Sequence, residues 1–170
     1  MKSLIISLCI LGMVGVAIGI AVWAAEDTIT CSVTARDIAI SVTTDGTIDY
    51  GNVDLSSSTS TLPNAIDDVQ TASNDGSTAK ISVKTSNATP ATGWTSVESF
   101  NGSNDEFIHS FTTTTSPTWQ VITEAGEYET ASSTVEAGGT LDFYFQIETD
   151  DAYTDYTAKS ITLTVQAVAP

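Results

Sequence analysis

Carboxylate and amide side chains, which carry oxygen atoms able to bind a cation, gather in three segments of this 170-residue chain that look like loops. Their members are Asn101, Asn104, Asp105 and Glu106 in the first, Glu124, Glu127 and Glu129 in the second, and Glu148, Asp150, Asp151 and Asp155 in the third. Calcium prefers such oxygen ligands, but none of the loops has EF-hand spacing, so a solvated acidic turn stays open for each. If one loop binds calcium, we expect Asp150, Asp151 and Asp155 to hold it, because carboxylates this close repel one another without a counter-ion.

Residues for enzymatic chemistry are few. The sequence has one histidine, His109, and two cysteines, Cys9 and Cys31, which cannot build a zinc site of the usual kind. His109 alternates with Phe107 and Phe111, so we expect it in or beside a core rather than as a catalytic base. Cys31 is expected to be a small buried hydrophobe. We therefore predict that the protein is not an enzyme and needs no cofactor, calcium being the one candidate.

The strongest structural pattern lies in the last third of the chain. Apolar side chains alternate with polar ones from Leu141 to Ile147 and again from Ile161 to Ala167, with the polar segment 149–159 between them. A period of two over seven residues, twice, predicts two β-strands paired as an antiparallel hairpin. One apolar face on such a pair needs a second layer to cover it.

Earlier segments add two local predictions. Asp45-Gly46 after the alternating residues 38–42 predicts a tight hairpin turn. Lys80 and Lys84 lie on one face of the segment 79–85, which is typical of an edge strand that lysines protect against unwanted pairing.

These patterns predict an all-β fold, an antiparallel β-sandwich that is Ig-like or jelly-roll-like, with about nine to eleven short strands. No helical period is found after residue 25. The predicted core consists of Ile38, Ile40, Val42, Ile81, Val83, Trp94, Phe107, Phe111, Trp119, Leu141, Phe143, Phe145, Ile147, Ile161, Leu163 and Val165.

The N-terminus predicts export. Lys2 precedes the apolar run 4–22, and Val22-Trp23-Ala24 places small residues at positions −3 and −1 of a cleavage after Ala24. Residues 1–24 therefore read as a signal peptide, and residues 25–170 as a single domain. The alternative is an uncleaved anchor that crosses the membrane through residues 4–22. The sequence ends shortly after the last alternating segment, so we expect no C-terminal anchor. Both alternatives place the domain outside the cytoplasm, extracellular or at the cell surface.

The charge balance is strongly acidic. Lys and Arg number 5 and Asp and Glu number 21, which gives a formal net charge of −16. Without Lys2, four basic residues against 21 acidic ones give −17. Such a surface repels phosphates and anionic membranes, so we expect no nucleic-acid partner.

The stretch Trp23-Ala24-Ala25-Glu26-Asp27-Thr28 between the leader and a Thr-rich all-β domain resembles the TasA/camelysin-type secreted proteins of microbial surfaces. The family's Phe-Ser-Asp after the cleavage point is missing here. The resemblance implies a sandwich fold and assembly into extracellular fibres, in which an N-terminal strand is donated to the next subunit.

The residues themselves allow such donation. Ile29, Cys31 and Val33 alternate in a predicted strand close to the new N-terminus. A terminal strand pairs with its own sheet or with a neighbour's edge, and both stay open at this point. We predict a non-enzymatic structural protein, a subunit of an extracellular filament or surface layer that associates with itself or with other surface proteins.

The alternative is a monomeric adhesin or a calcium-dependent carbohydrate-binding module. Its sugar-stacking residues would be Trp94, Trp119 or the exposed rings of Tyr153 and Tyr156. Asn87-Ala88-Thr89 and Asn101-Gly102-Ser103 match the acceptor pattern for N-glycosylation, which makes Asn87 and Asn101 candidate sites in predicted loops.

Overall fold

Ten β-strands and no helix are found in the described part of the chain, which confirms the all-β prediction. The computed structural model describes Val33 and residues 35–90, 93–123 and 126–170. The strands are β1 Ile40–Val42, β2 Ser58–Ser60, β3 Gln70–Asn74, β4 Ala79–Thr85, β5 Thr95–Ser96, β6 Glu106–Thr112, β7 Gln120–Val121, β8 Glu129–Val135, β9 Thr140–Thr149 and β10 Leu163–Val168.

The strands form two sheets, as a β-sandwich requires. The larger sheet has the order β1-β3-β9-β6-β5, with β2 beside β9 and β7 beside β6. The smaller sheet has the order β10-β4-β8. All pairs are antiparallel except β5 with β6. One core cluster takes Phe111, Phe143 and Phe145 from the larger sheet and Ile81 and Val83 from the smaller one.

Strand β9 is the centre of the larger sheet. It pairs with β3 over its first half, and with β6 and β2 over its second. Its alternation buries Phe143, Phe145 and Ile147 on one face, as the sequence predicts. Full burial of each such side chain contributes about 1.5–3 kcal/mol.

The predicted C-terminal hairpin is wrong. Both of its strands exist, but β9 belongs to the larger sheet and β10 pairs with β4 in the smaller one. Alternation shows which side chains face a core, and it carries no information about which strand is the neighbour. The polar segment between these strands crosses from one sheet to the other instead of closing a turn.

Two local predictions fail for the same reason. Gly46 has a positive φ of 70°, as a turn requires, but residues 47–57 form no strand, and β1 pairs with β3. Lys80 and Lys84 belong to β4, which is the central strand of the smaller sheet and not an edge. Lys84 Nζ lies 4.6 Å from the centroid of the Tyr128 ring, a cation–π contact on that sheet.

The predicted core is largely confirmed at its large side chains. Val42 is an exception, since it is 46% exposed on the short edge strand β1. Asn74 is a buried polar residue that hydrophobic patterns do not reveal. Its Nδ2 donates hydrogen bonds to the carbonyls of Ser77, Val135 and Glu136, which ties the end of β3 to the turn after β8.

Residues Ala35–Pro170 form one compact unit by themselves. The predicted signal peptide, residues 1–24, lies outside the described residues, as do Ile29 and Cys31. In the described ranges no helix is long and apolar enough to cross a membrane.

Candidate functional site

Among the described residues, strand β10 forms an open edge of the smaller sheet. It pairs with β4 at six consecutive positions, Leu163 to Val168, without a register shift. Among the described residues, β4 is its only neighbour in the sheet. The outer side of β10 therefore presents a row of backbone donors and acceptors for another strand.

The apolar side chains of β10 are only half covered. Leu163 and Val165 lie opposite Thr85 and Val83, so they share the core-facing side of the sheet. Val83 is fully buried, whereas Leu163 and Val165 pack against the same core cluster but remain partly exposed. A further strand beside β10 would finish covering them.

The opposite edge of the smaller sheet is protected. Strand β8 shifts register against β4 between Ala79 and Ile81 and again between Ile81 and Ser82. Such irregularities disfavour the addition of a further strand. Strand β8 also carries Glu129, whose carboxylate accepts hydrogen bonds from Gln120 and Thr123. In contrast, β10 has the sequence Leu-Thr-Val-Gln-Ala-Val, without a charged residue or a proline.

Edges of the larger sheet are short. Strand β1 has three residues and β5 has two. The N–H of Ser96 in β5 donates to Asn87 Oδ1 at 2.9 Å, so a side chain already occupies this donor. Of the edges in the described residues, β10 is the one that is long, regular and uncharged. Sequence reasoning missed this role, although the uncharged run after Lys159 was a signal for it.

A second stretch that has no strand partner within the described ranges packs on the same core. Ile48, Tyr50 and Val53 point inward from the extended segment between β1 and β2, where alternate residues are exposed. Between described residues, the backbone of residues 48–53 forms no backbone–backbone hydrogen bond. Ile48 and Tyr50 pack against the cluster that Leu163 and Val165 also contact. This segment therefore adds a second stretch of backbone able to pair with an incoming strand.

His109 is a core residue, 1% exposed. The Tyr50 hydroxyl lies 2.9 Å from Nε2, and the Thr85 hydroxyl lies 3.1 Å from Nδ1. Burial lowers the pKa of His109 to about 3, and burial likewise raises the pKa of Tyr50. A neutral ring fits both contacts if Tyr50 donates to Nε2 and Nδ1–H donates to Thr85. Thr85 is buried too, so this hydroxyl–imidazole pair has no access to a substrate.

The three carboxylates proposed for calcium are not brought into one group. Asp155 forms a salt bridge with Lys159 and accepts hydrogen bonds from Thr157. Asp150 is buried and its Oδ1 accepts the N–H of Asp151, whose side chain is exposed. In the described parts of the chain, no three His, Cys, Asp or Glu side chains are arranged to hold a metal ion.

Two of the acidic loops instead meet each other. The carboxylate of Asp105 accepts hydrogen bonds from the N–H and the hydroxyl of Thr154, at 2.6 and 2.5 Å. Both hydrogen bonds lower the pKa of Asp105, and the one from the Thr154 hydroxyl has the larger effect. No local sequence pattern predicts this contact, because the two residues are 49 positions apart.

Two of the aromatic residues proposed for sugar binding, Tyr153 and Trp94, are already packed against other parts of the protein. Tyr153 is buried, which corrects its predicted exposure; its hydroxyl donates to the carbonyl of Glu106 and accepts the N–H of Asp150. Burial raises the pKa of Tyr153 to about 12. Trp94 stacks on Tyr153 with 4.2 Å between the ring centroids. Trp119 is half-buried, and Tyr156 is 73% exposed, as predicted.

The remaining predicted sites are at the surface. Asn87 and Asn101 are both exposed. Val33, the described member of the predicted assembly strand, is 96% exposed, and Ala35 on the same alternating face is exposed as well.

Comparison with protein-family models, with curated proteins and with solved structures finds no match to this chain. The likeness to the TasA/camelysin-type proteins therefore stays a prediction from the sequence.

Proposed function

We propose that this protein is a non-enzymatic structural subunit of an extracellular filament or surface layer, joined by β-strand pairing between copies. The observation that carries the proposal is the edge of β10, with six residues in regular register, no charge, and half-covered Leu163 and Val165. Natural proteins normally block an edge of this kind. An edge left unblocked is suited to receive a strand.

The donated strand is the segment 26–35 of another copy. Its apolar residues Ile29, Cys31 and Val33 repeat every second position. The core-facing residues of β10, Leu163, Val165 and Ala167, repeat with the same period. When the two strands lie side by side in register, both sets therefore lie next to each other on the core-facing side, where each shields part of the other from solvent.

We favour pairing with another copy because the two described residues of this segment are exposed. Val33 is 96% exposed, and Ala35 is also exposed. An apolar strand face that stays in solvent loses the favourable free energy of burial. Burial in a neighbouring subunit recovers that free energy and removes an exposed β10 edge at the same time.

The test places a lysine at one of two adjacent positions of β10. In the variant Val165→Lys the charge enters the core-facing side of the edge, where the donated strand would cover it, and burying it there is costly. In the control Gln166→Lys the same charge enters the exposed outer face. We expect filaments in electron micrographs of the wild type and of Gln166→Lys, and dispersed subunits for Val165→Lys.

Folding of both variants is checked by circular dichroism, because Val165 also contacts the core. Filaments formed by a folded Val165→Lys protein would exclude β10 as the acceptor.

Deletion of residues 25–34 tests the donor separately. The truncated protein is expected to stay monomeric, and a synthetic peptide of residues 25–36 is expected to bind it and to raise its melting temperature. N-terminal sequencing of the exported protein establishes whether the donated strand begins at a free end.

A further inference from the structure

The two Asn-x-Ser/Thr motifs lie at the same surface but differ in backbone freedom. Asn87 and Asn101 both line a shallow depression of about 480 Å³ beside β5. Both side chains are exposed, so access to the asparagine does not distinguish them. The distinction comes from the residues that follow each asparagine.

Asn101 begins a turn that is held only at its base. Its N–H donates to Glu106 Oε2 at 3.1 Å, and Glu106 is buried. Gly102 has a φ of 83°, and Ser103 donates its N–H to Asn101 Oδ1. All three motif residues are exposed, and among the described residues their backbone forms no backbone–backbone hydrogen bond. An enzyme can therefore reshape this turn in its own active site without breaking the fold.

Asn87 belongs to a segment whose backbone is held in place by hydrogen bonds. Its Oδ1 accepts the N–H of Ser96. Ala88 is 2% exposed and donates its N–H to the carbonyl of Trp94. Thr89 and Ser160 exchange backbone hydrogen bonds at 2.8 and 2.9 Å. Presenting this motif to an enzyme would break these backbone bonds, withdraw Asn87 from Ser96 and expose a buried side chain.

We propose that Asn101 is N-glycosylated in the folded, exported protein and that Asn87 is left unmodified. The donor class is an oligosaccharide linked to a lipid through phosphate. The Asn101 amide nitrogen forms the new C–N bond to the anomeric carbon, and the C–O bond to phosphate breaks. The lipid phosphate leaves with that electron pair, and one amide proton passes to a base of the transferase. The inference rests on the proposed function for export of the domain.

The test is mass spectrometry of the protein purified from its native host. Cleavage after glutamate separates the two motifs, because Glu98 stands between them and Glu106 follows the second. We expect the peptide of residues 99–106 to be heavier by at least one sugar, and the peptide that ends at Glu98 to keep its unmodified mass.

Two variants assign the modification. Ser103→Ala removes the hydroxyl of the acceptor motif but keeps the backbone N–H that bonds to Asn101, so it should abolish the added mass without changing the turn. The matched control Thr89→Ala should leave the added mass unchanged. A glycan on Asn87, or an unmodified Asn101 in protein recovered from the cell surface, would overturn the inference. The second result leaves the strand-pairing proposal untouched, since that proposal is tested at β10.

Discussion

At the scale of single residues, His109 links the two sheets through polar atoms in an apolar core. It is a residue of β6 in the larger sheet, and its ring contacts Thr85 of β4 in the smaller one. Phe107 and Phe145 lie beside the ring, with centroids 6.2 and 5.9 Å away. Both ring nitrogens have hydroxyl partners that suit the neutral imidazole, and burial among these apolar side chains disfavours the charged form.

The stability of the protein should therefore fall in mild acid. The pKa of His109 is about 3 in the folded chain and 6.5 in the unfolded one. Between these values only the unfolded chain takes up the proton. The contribution of neutral His109 to the free energy of unfolding is therefore complete above pH 6.5 and is lost as the pH falls towards 3. We expect a loss of up to about 1.4 kcal/mol in unfolding free energy per pH unit from this residue.

The variant His109→Gln supplies the comparison. Urea unfolding at pH 7 should show it to be less stable than the wild type, because the ring contacts are lost. Between pH 7 and pH 5 its stability should fall less than that of the wild type, since no imidazole remains to take up a proton. The carboxylates contribute equally to the pH dependence of stability in the wild type and in the variant. Parallel pH profiles would contradict the assignment of the effect to His109.

Alternation placed His109 in the core correctly but did not identify its partners. Phe107 and Phe111 flank it in sequence, and this pattern is local. Tyr50 and Thr85 lie 59 and 24 positions away, and no sequence pattern links a hydroxyl to a histidine over that distance. The same limit hid the three carbonyl partners of Asn74 and the contact between Asp105 and Thr154. Buried polar contacts depend on the tertiary fold, whereas apolar faces follow from the strand period.

At the scale of elements, the strands with the most regular alternation, β4, β9 and β10, were predictable, and their neighbours were not. The segment 79–85 was identified with its correct bounds, but its lysines suggested an edge and it is the centre of a sheet. The true edge, β10, looked like one half of a hairpin because its apolar face is as regular as that of β9. Sheet order is decided by which faces cover each other in three dimensions. Local alternation therefore restricts the possible sheet orders but does not determine which one forms.

The turn between β3 and β4 gives a test of this packing. A Cβ atom on Gly76 would lie 2.2 Å from the carbonyl oxygen of Asp37 and 2.7 Å from the nitrogen of Ala39. Gly76→Ala should therefore displace the chain before β1 and reduce the free energy of unfolding by about 1–3 kcal/mol. The N–H groups of Asp75 and Ser77, which donate to Ala39 and Asp37, should lose protection in hydrogen exchange.

The control is Gly46→Ala. A Cβ atom at Gly46 meets nothing within 4 Å, although its φ of 70° makes alanine unfavourable there by about 1 kcal/mol. This variant should leave the amides of Asp75 and Ser77 protected. Equal exchange rates at these amides in both variants would show that the contact with Asp37 does not position β1.

At the scale of the whole molecule, charge opposes the association that β10 favours. Without residues 1–24, each copy carries a formal net charge of −17, so two approaching copies repel one another. The paired edge itself has no charged residue, and its backbone hydrogen bonds depend little on salt. Ionic strength should therefore control the rate of assembly through screening alone.

Filament growth from dispersed subunits should accelerate as sodium chloride is raised. The Debye length falls from about 30 Å at 0.01 M to about 8 Å at 0.15 M salt, which shortens the range of the repulsion. Light scattering measures the growth rate, with sucrose as an uncharged control. Calcium at matched ionic strength should have a comparable effect, since no described group of carboxylates is arranged to hold an ion. Growth that begins only with calcium would instead place a cation in the interface, and growth that slows with salt would show that attraction between opposite charges brings the copies together.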